Sequence, residues 1–184
     1  MRVITGIARG RKLYTLPGTD TVRPTSEKVK EAVFSAIQFD IEGRRVLDLF
    51  AGSGQLGIEA LSRGADSAVF VDTSPASLQV VNKNLAATGL ASSAEVIRSD
   101  YSAFLARSKK TFDIAFLDPP YESGVLLDAL KKITGLMSDY GTVFCEHPAD
   151  IMLPESVGKF RISRLYRFGS ITVTMYKKEV ADDE

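Results

Sequence analysis

What most constrains the fold of this chain is a rhythm that sets in at Arg45. Short, almost wholly apolar runs, VLDLF (46–50), AVFVD (68–72), AEVIRSD (94–100), FDIAFLD (112–118) and GTVFCE (141–146), alternate with stretches suited to helices at 55–63, 75–88, 101–107 and 123–133. A strand that is apolar at nearly every residue has both faces covered, so the alternation means a mostly parallel sheet between helical layers. The end of the chain breaks the rhythm. Residues 161–168 and 171–177 alternate around Gly169-Ser170, which reads as an antiparallel hairpin closing the sheet edge.

The first forty residues stand apart as an extension to a domain spanning 41–184. Val3, Ile4 and Ile7, the turn-prone Ala8-Arg9-Gly10-Arg11, then Leu13, Tyr14 and Leu16 before Pro17-Gly18 read as a two-stranded ribbon with its basic residues outward. After Arg23-Pro24, Thr25 is placed to cap a helix whose apolar positions Val29, Ala32, Val33, Ala36 and Ile37 repeat at helical spacing. The chain of 184 residues balances 23 Lys+Arg against 23 Asp+Glu, yet residues 1–30 hold seven basic residues and only two acidic ones. A polyanionic partner is therefore expected at the amino-terminal extension.

A lone cysteine, Cys145, excludes an internal disulfide and reads as a small apolar residue of a strand. No Cys/His cluster suggests a metal site. No apolar stretch resembles a signal peptide or a membrane span, so a soluble, cytoplasmic protein with no membrane partner is expected; a monomer is expected as well.

In a doubly wound sheet, ligands bind outside the carboxyl ends of the strands. The first strand delivers Asp48-Leu49-Phe50-Ala51-Gly52-Ser53-Gly54, and Gly52, Gly54 and Gly57 match G-x-G-x-x-G, with Asp72 ending the next strand twenty residues after Gly52. Alone, this is a dinucleotide fingerprint. A pyrophosphate, however, would be repelled by the Asp48 carboxylate beside the loop. A methionine-type ligand fits better, with Asp48 accepting from its ammonium, Asp72 from the ribose hydroxyls and Asp100, ending the third strand, from the adenine amine. The fourth strand ends in Asp118-Pro119-Pro120-Tyr121. Its prolines lack N–H donors, so acceptors predominate there, suited to an exocyclic –NH₂, and Tyr121 offers a ring for base stacking. Glu146 is a second-rank candidate for the same cavity, and His147, before Pro148, reads as a turn residue.

The DLFAGSG loop together with DPPY resembles the class I S-adenosylmethionine-dependent methyltransferases that modify base amines. More narrowly, MRVITGIARGRKL, RPTSEKVKEAVF, DLFAGSGQLGIEALSRGA, FVD, FLDPPY and FGSITVTMY resemble the bacterial 16S ribosomal RNA guanine-N2 methyltransferase family. The resemblance implies a Rossmann-like, mostly parallel seven-stranded sheet, S-adenosyl-L-methionine as cofactor, and ribosomal RNA or a 30S assembly intermediate as partner. It implies a cofactor site of Asp48, Phe50, Ala51, Gly52, Ser53, Gly54, Asp72, Thr73 and Asp100. Asp118, Pro119, Pro120 and Tyr121 are implied to hold the target base. Arg2, Arg9, Arg11, Lys12 and Arg23 are expected on the RNA phosphates. DPPY by itself does not name the base, since adenine-N6 methyltransferases share it. A nicotinamide-dependent oxidoreductase and a catalytically silent RNA-binding protein are the rival readings.

Overall fold

The computed structural model describes residues 1–17, 24–121 and 124–180, without the side chains of 24–26. The five apolar runs form β1 (Arg45–Asp48), β2 (Ser67–Asp72), β3 (Ala94–Arg98), β4 (Phe112–Leu117) and β5 (Met137–Pro148). They are followed by β6 (Ser156–Val157), β7 (Phe160–Phe168) and β8 (Ile171–Lys178). All join one sheet in the order β3-β2-β1-β4-β5-β8-β7-β6. β1 to β5 run parallel, and β8, β7 and β6 add antiparallel. The eighth strand, beyond the seven expected, is the two-residue β6, too short to show any alternation.

Side chains alternate between the two faces as the pleat requires. Val46, Ala68, Phe70, Ile114, Phe116 and Phe144 face one core, shared with Ile58 and Leu61 of α2 (Gln55–Ser62) and Val81 and Leu85 of α3 (Pro75–Thr88). Leu47, Val69, Val71, Ala115, Leu117 and Val143 face the other, against Phe104 and Leu105 of α4 (Tyr101–Arg107) and Leu130 and Ile133 of α5 (Val125–Ile133). Burial on both faces explains the continuous apolar runs. β5 extends beyond its expected 141–146 because it pairs with β4 on one side and with β8, from Thr142 to Pro148, on the other. That pairing places His147 in a strand, not a turn: it is buried, with Nε2 2.7 Å from Thr174 Oγ1 and Nδ1 2.9 Å from the Pro148 carbonyl.

α1 (Pro24–Ala36) packs Val29, Val33 and Phe34, with Ile37 just beyond its end, on the α2–α3 side. It starts at Pro24, one residue before the expected Thr25 cap; proline at the first helical position costs no hydrogen bond. The amino-terminal ribbon is reduced to one antiparallel bridge, Arg2 to Lys12. Val3, Gly10 and Leu13 N–H donate to carbonyls within it, at 3.0, 2.9 and 2.8 Å, whereas others of its donors turn inward. Ile4 and Thr5 N–H donate to the two Glu59 carboxylate oxygens of α2 at 2.9 and 3.0 Å, and Ala8 N–H donates to Ser62 Oγ at 3.0 Å.

Glu59 also pairs with Arg63 at 3.0 Å and Lys30 at 3.4 Å, and Lys30 Nζ donates to the Arg2 carbonyl at 2.9 Å. Lys30 and Glu59 are fully buried. Burial pulls the Lys30 ammonium below the usual lysine range, against the raising effect of Glu59. Lys30, one of the seven basic residues of the extension, is thus a structural ion and not part of a basic surface.

Candidate active site

The strand order reverses between β1 and β4, whose crossovers leave in opposite directions, so a crevice opens beyond their carboxyl ends. A cavity of about 840 Å³ lies there. Asp72 and Thr73 after β2, Asp100 after β3, and the run Asp118 to Tyr121 after β4 line it. Phe50, Gly52 and Ser53 line it from the loop after β1, and Glu146 from β5. Four strand ends thus converge on one space.

Asp48, Ala51 and Gly54, also expected at the cofactor, are not among its lining residues; they build the floor of the loop. Asp48 is buried and accepts from Gly57 N–H at 3.0 Å. Burial pushes its carboxyl up to about 7, partly offset by the Gly57 hydrogen bond and reinforced by the nearby Asp72 charge. Gly54 N–H donates to the Ala51 carbonyl at 2.7 Å, and Gly54 itself has φ 80°, a left-handed geometry that favours glycine. Gly57 serves packing: a Cβ there would lie 2.4 Å from the Phe70 ring. Gly52 differs, since a Cβ on it would meet nothing within 4 Å. It leaves the backbone bare toward the cavity.

Asp72 spans the loop and the next helix, accepting from Gly52 N–H and Ser74 N–H, both at 2.9 Å. Asp100 caps α4 through Ala103 N–H at 2.8 Å while still lining the cavity. A carboxylate has about four acceptor sites, so each keeps capacity for a ligand hydroxyl or amine beyond its capping role. The Phe50 and Tyr101 rings, with centroids 5.5 Å apart, add an apolar wall. In the DPPY run Pro119 is buried, and Tyr121 is half-buried and donates its hydroxyl to Glu146 Oε1 at 3.0 Å.

The Gly52 and Gly57 N–H groups donate to carboxylates and that of Gly54 to a carbonyl, so the three glycine donors are engaged within the loop. The acids at the strand ends suit a cationic, donor-rich nucleoside.

Three contributors were not anticipated. Asn84, buried on α3, accepts from Tyr14 N–H at 2.7 Å and donates to the Tyr14 and Ser53 carbonyls at 3.0 and 2.9 Å, tying the extension to the glycine loop. Gln55 lines the cavity with a buried side-chain oxygen that has no partner among the described residues. Lys30 reaches the cavity wall from α1. The signal available for Asn84 was its place beside Leu85 and three residues after Val81, on the apolar stripe of its helix.

Of the expected RNA contacts, Arg2, Arg9, Arg11 and Lys12 are exposed on the extension, and Arg23 lies outside the described residues. Among the described residues no group of His, Cys, Asp and Glu could hold a metal, and no helix is long and apolar enough to cross a membrane.

A parallel sheet of this order with its antiparallel end, a glycine loop after β1 and acids after β2 and β3 has the Rossmann-like fold of class I methyltransferases. The chain belongs to the family described as "Conserved hypothetical protein 95", whose profile matches residues 1–177. It is 42% identical over 187 residues to the Bacillus subtilis (strain 168) protein "Putative rRNA methyltransferase YlbH", covering 97% of this chain and 99% of that one. It is 34% identical over 181 residues to "Ribosomal RNA small subunit methyltransferase D" of Escherichia coli (strain K12), covering 97% and 90%. Among solved structures, "Putative methyltransferase yhhF from Escherichia coli" superposes with a TM-score of 0.87 at 34% identity, covering 97% of this chain and 98% of that chain.

Proposed function

We propose that this protein transfers a methyl group from S-adenosyl-L-methionine to the exocyclic N2 of a guanine in small-subunit ribosomal RNA, in the bacterial cytoplasm. The observation that carries the reading is the convergence of Asp72, Asp100 and the Asp118–Tyr121 run on one cavity beside a bare Gly52. The names of the relatives support RNA as the class of substrate.

When bound, S-adenosyl-L-methionine supplies a methyl group already activated by the positive charge of its sulfonium. Asp72 would hold its ribose and Asp100 its adenine amine, with Gly52 and Ser53 against the amino-acid part. Thr73 and Phe50 would complete the nucleoside wall. The remaining work falls to the chain, because the lone pair of a base amine is delocalised and must be held in line with the methyl group; orientation of this kind is worth up to about 7–11 kcal/mol. Asp118 and a carbonyl of the Pro119-Pro120 backbone would accept the amine hydrogens, favouring a tetrahedral nitrogen and stabilising its developing positive charge, and the proton the amine loses on gaining the methyl group would pass to Asp118 or to water. Tyr121 would stack on the base, which must first be turned out of its RNA. Arg2, Arg9, Arg11, Lys12 and Arg23 would grip the flanking phosphates of ribosomal RNA or of a 30S assembly intermediate.

The test is transfer of labelled methyl groups to ribosomal RNA from cells lacking this gene, followed by mass spectrometry of the nucleosides. N2-methylguanosine is expected. N6-methyladenosine would instead support the adenine reading, and binding without transfer would indicate a silent RNA-binding protein.

A further inference from the structure

We infer that Glu146 reads the ring-nitrogen edge of the target base, and that this carboxylate selects guanine among the bases that carry an exocyclic amine. The inference rests on the reading of the cavity as a methyltransferase site and supplies what the DPPY run leaves open, the identity of the base.

Leu117 of β4 pairs with Cys145 of β5, which brings Glu146 level with Asp118 on the neighbouring strand. Glu146 pairs with Val173 of β8, which fixes its backbone one residue beyond the last β4–β5 pair. Its side chain lines the same cavity as Asp118, Pro119 and Pro120, and Oε1 accepts from the Tyr121 hydroxyl at 3.0 Å. The ring assigned to base stacking therefore carries a carboxylate at its edge, one strand away from the group assigned to the amine. A base stacked on Tyr121 with its amine at Asp118 presents to Glu146 whatever flanks that amine.

That flank differs among the bases. In guanine the carbon bearing the amine is flanked by N1–H, a donor, on one side and by N3, an acceptor, on the other, and the side assigned to Glu146 is N1–H. In adenine and cytosine the ring nitrogen beside the amine is an acceptor. An ionised carboxylate only accepts. It completes a hydrogen bond with guanine and opposes a lone pair in the other two, where the unmatched acceptors also lose their water. Sites built to hydrogen-bond a substrate N–H reject analogues lacking it far more strongly than sites that merely fit its shape.

The probe is ribosomal RNA, free or in a reconstituted subunit, carrying 2-aminopurine at the guanine that nucleoside mapping shows to be methylated. 2-Aminopurine keeps the 2-amino group but has an acceptor at N1. The wild-type protein is expected to prefer guanine by at least about 100-fold in kcat/KM. In Glu146→Gln, whose amide can donate to N1 or accept from N1–H, the preference should fall to within about 10-fold. Tyr121→Phe keeps the ring and removes only the hydroxyl, and it should retain the guanine preference. Equal use of the two bases by the wild type, or an unchanged preference in Glu146→Gln, would overturn this inference alone. So would Tyr121→Phe losing the preference to the same extent, since Glu146 would then act only by positioning the ring. A wild-type protein that methylates only adenine would overturn it together with the guanine reading.

Discussion

The Gly52 N–H and the Asp72 carboxylate, both lining the cavity, are joined by a 2.9 Å hydrogen bond, and Ser74 N–H holds the other carboxylate oxygen at the same distance. Asp72 is thus both the expected ribose acceptor and the clasp that sets the glycine loop. Asp72→Ala should lower affinity for S-adenosylhomocysteine by at least about 10-fold, since a hydrogen bond to a charged group is worth about 1.5–3 kcal/mol. Isothermal titration calorimetry measures this directly.

Asp48 makes stability depend on pH in an unusual direction. Its carboxyl is raised from 3.8 to about 7, chiefly by burial. The folded protein therefore holds a proton there that the unfolded chain has already released. The stabilisation is complete below about pH 4 and is lost as pH rises through about 7. Asp48→Asn removes this linkage, so its stability relative to the wild type should increase between pH 4 and pH 8, by up to about 4 kcal/mol at 1.36 kcal/mol per pKa unit. Urea unfolding of both proteins at several pH values provides the comparison, and a constant difference would contradict it.

The extension is anchored by a buried ion cluster. Glu59→Gln weakens the hold on Ile4 and Thr5 and leaves Lys30 without its counter-charge, and breaking one partner of a buried pair costs about 3–5 kcal/mol. The variant should unfold at lower temperature and expose residues 1–17 to protease well before global unfolding. Lys30→Met leaves Glu59 its two backbone donors and Arg63, so it should be the milder change.

Arg9 and Arg11 stand exposed at the turn of the extension. If both meet phosphates, Arg9→Ala with Arg11→Ala should weaken RNA binding and reduce the slope of log affinity against log salt by about 1.4–1.8, at about 0.7–0.9 per contact. Filter binding across a salt series gives both quantities, and an unchanged slope would remove these residues from the interface.

The sheet was readable because Val46 and Leu47, or Phe70 and Val71, bury alternate side chains on opposite faces and leave no polar residue between them. The residues placed at strand ends were readable for the same reason: Asp72, Asp100 and Asp118 are where those runs stop. Long-range polar pairing was not. Lys30 and Glu59 look like ordinary surface charges in the sequence, and only the fold shows them buried against each other; the one hint was Glu59 standing among Ile58, Ala60 and Leu61. The ribbon at residues 3–16 is shorter than its alternation suggests because alternation predicts strand geometry without saying where the backbone donors go: Val3, Gly10 and Leu13 N–H stay within the ribbon, while Glu59 and Ser62 take those of Ile4, Thr5 and Ala8. His147 was misjudged from Pro148, whose missing N–H did not prevent β5 from continuing beside β8.

The account is tested most directly by a crystal structure of the protein with S-adenosylhomocysteine. The predicted result places the ribose on Asp72, the adenine beside Asp100, the amino-acid part over Gly52 and Ser53, and the sulfur facing the Asp118–Tyr121 run. A ligand bound away from Pro119 and Pro120, or with its sulfur turned from them, would contradict methyl transfer at this site.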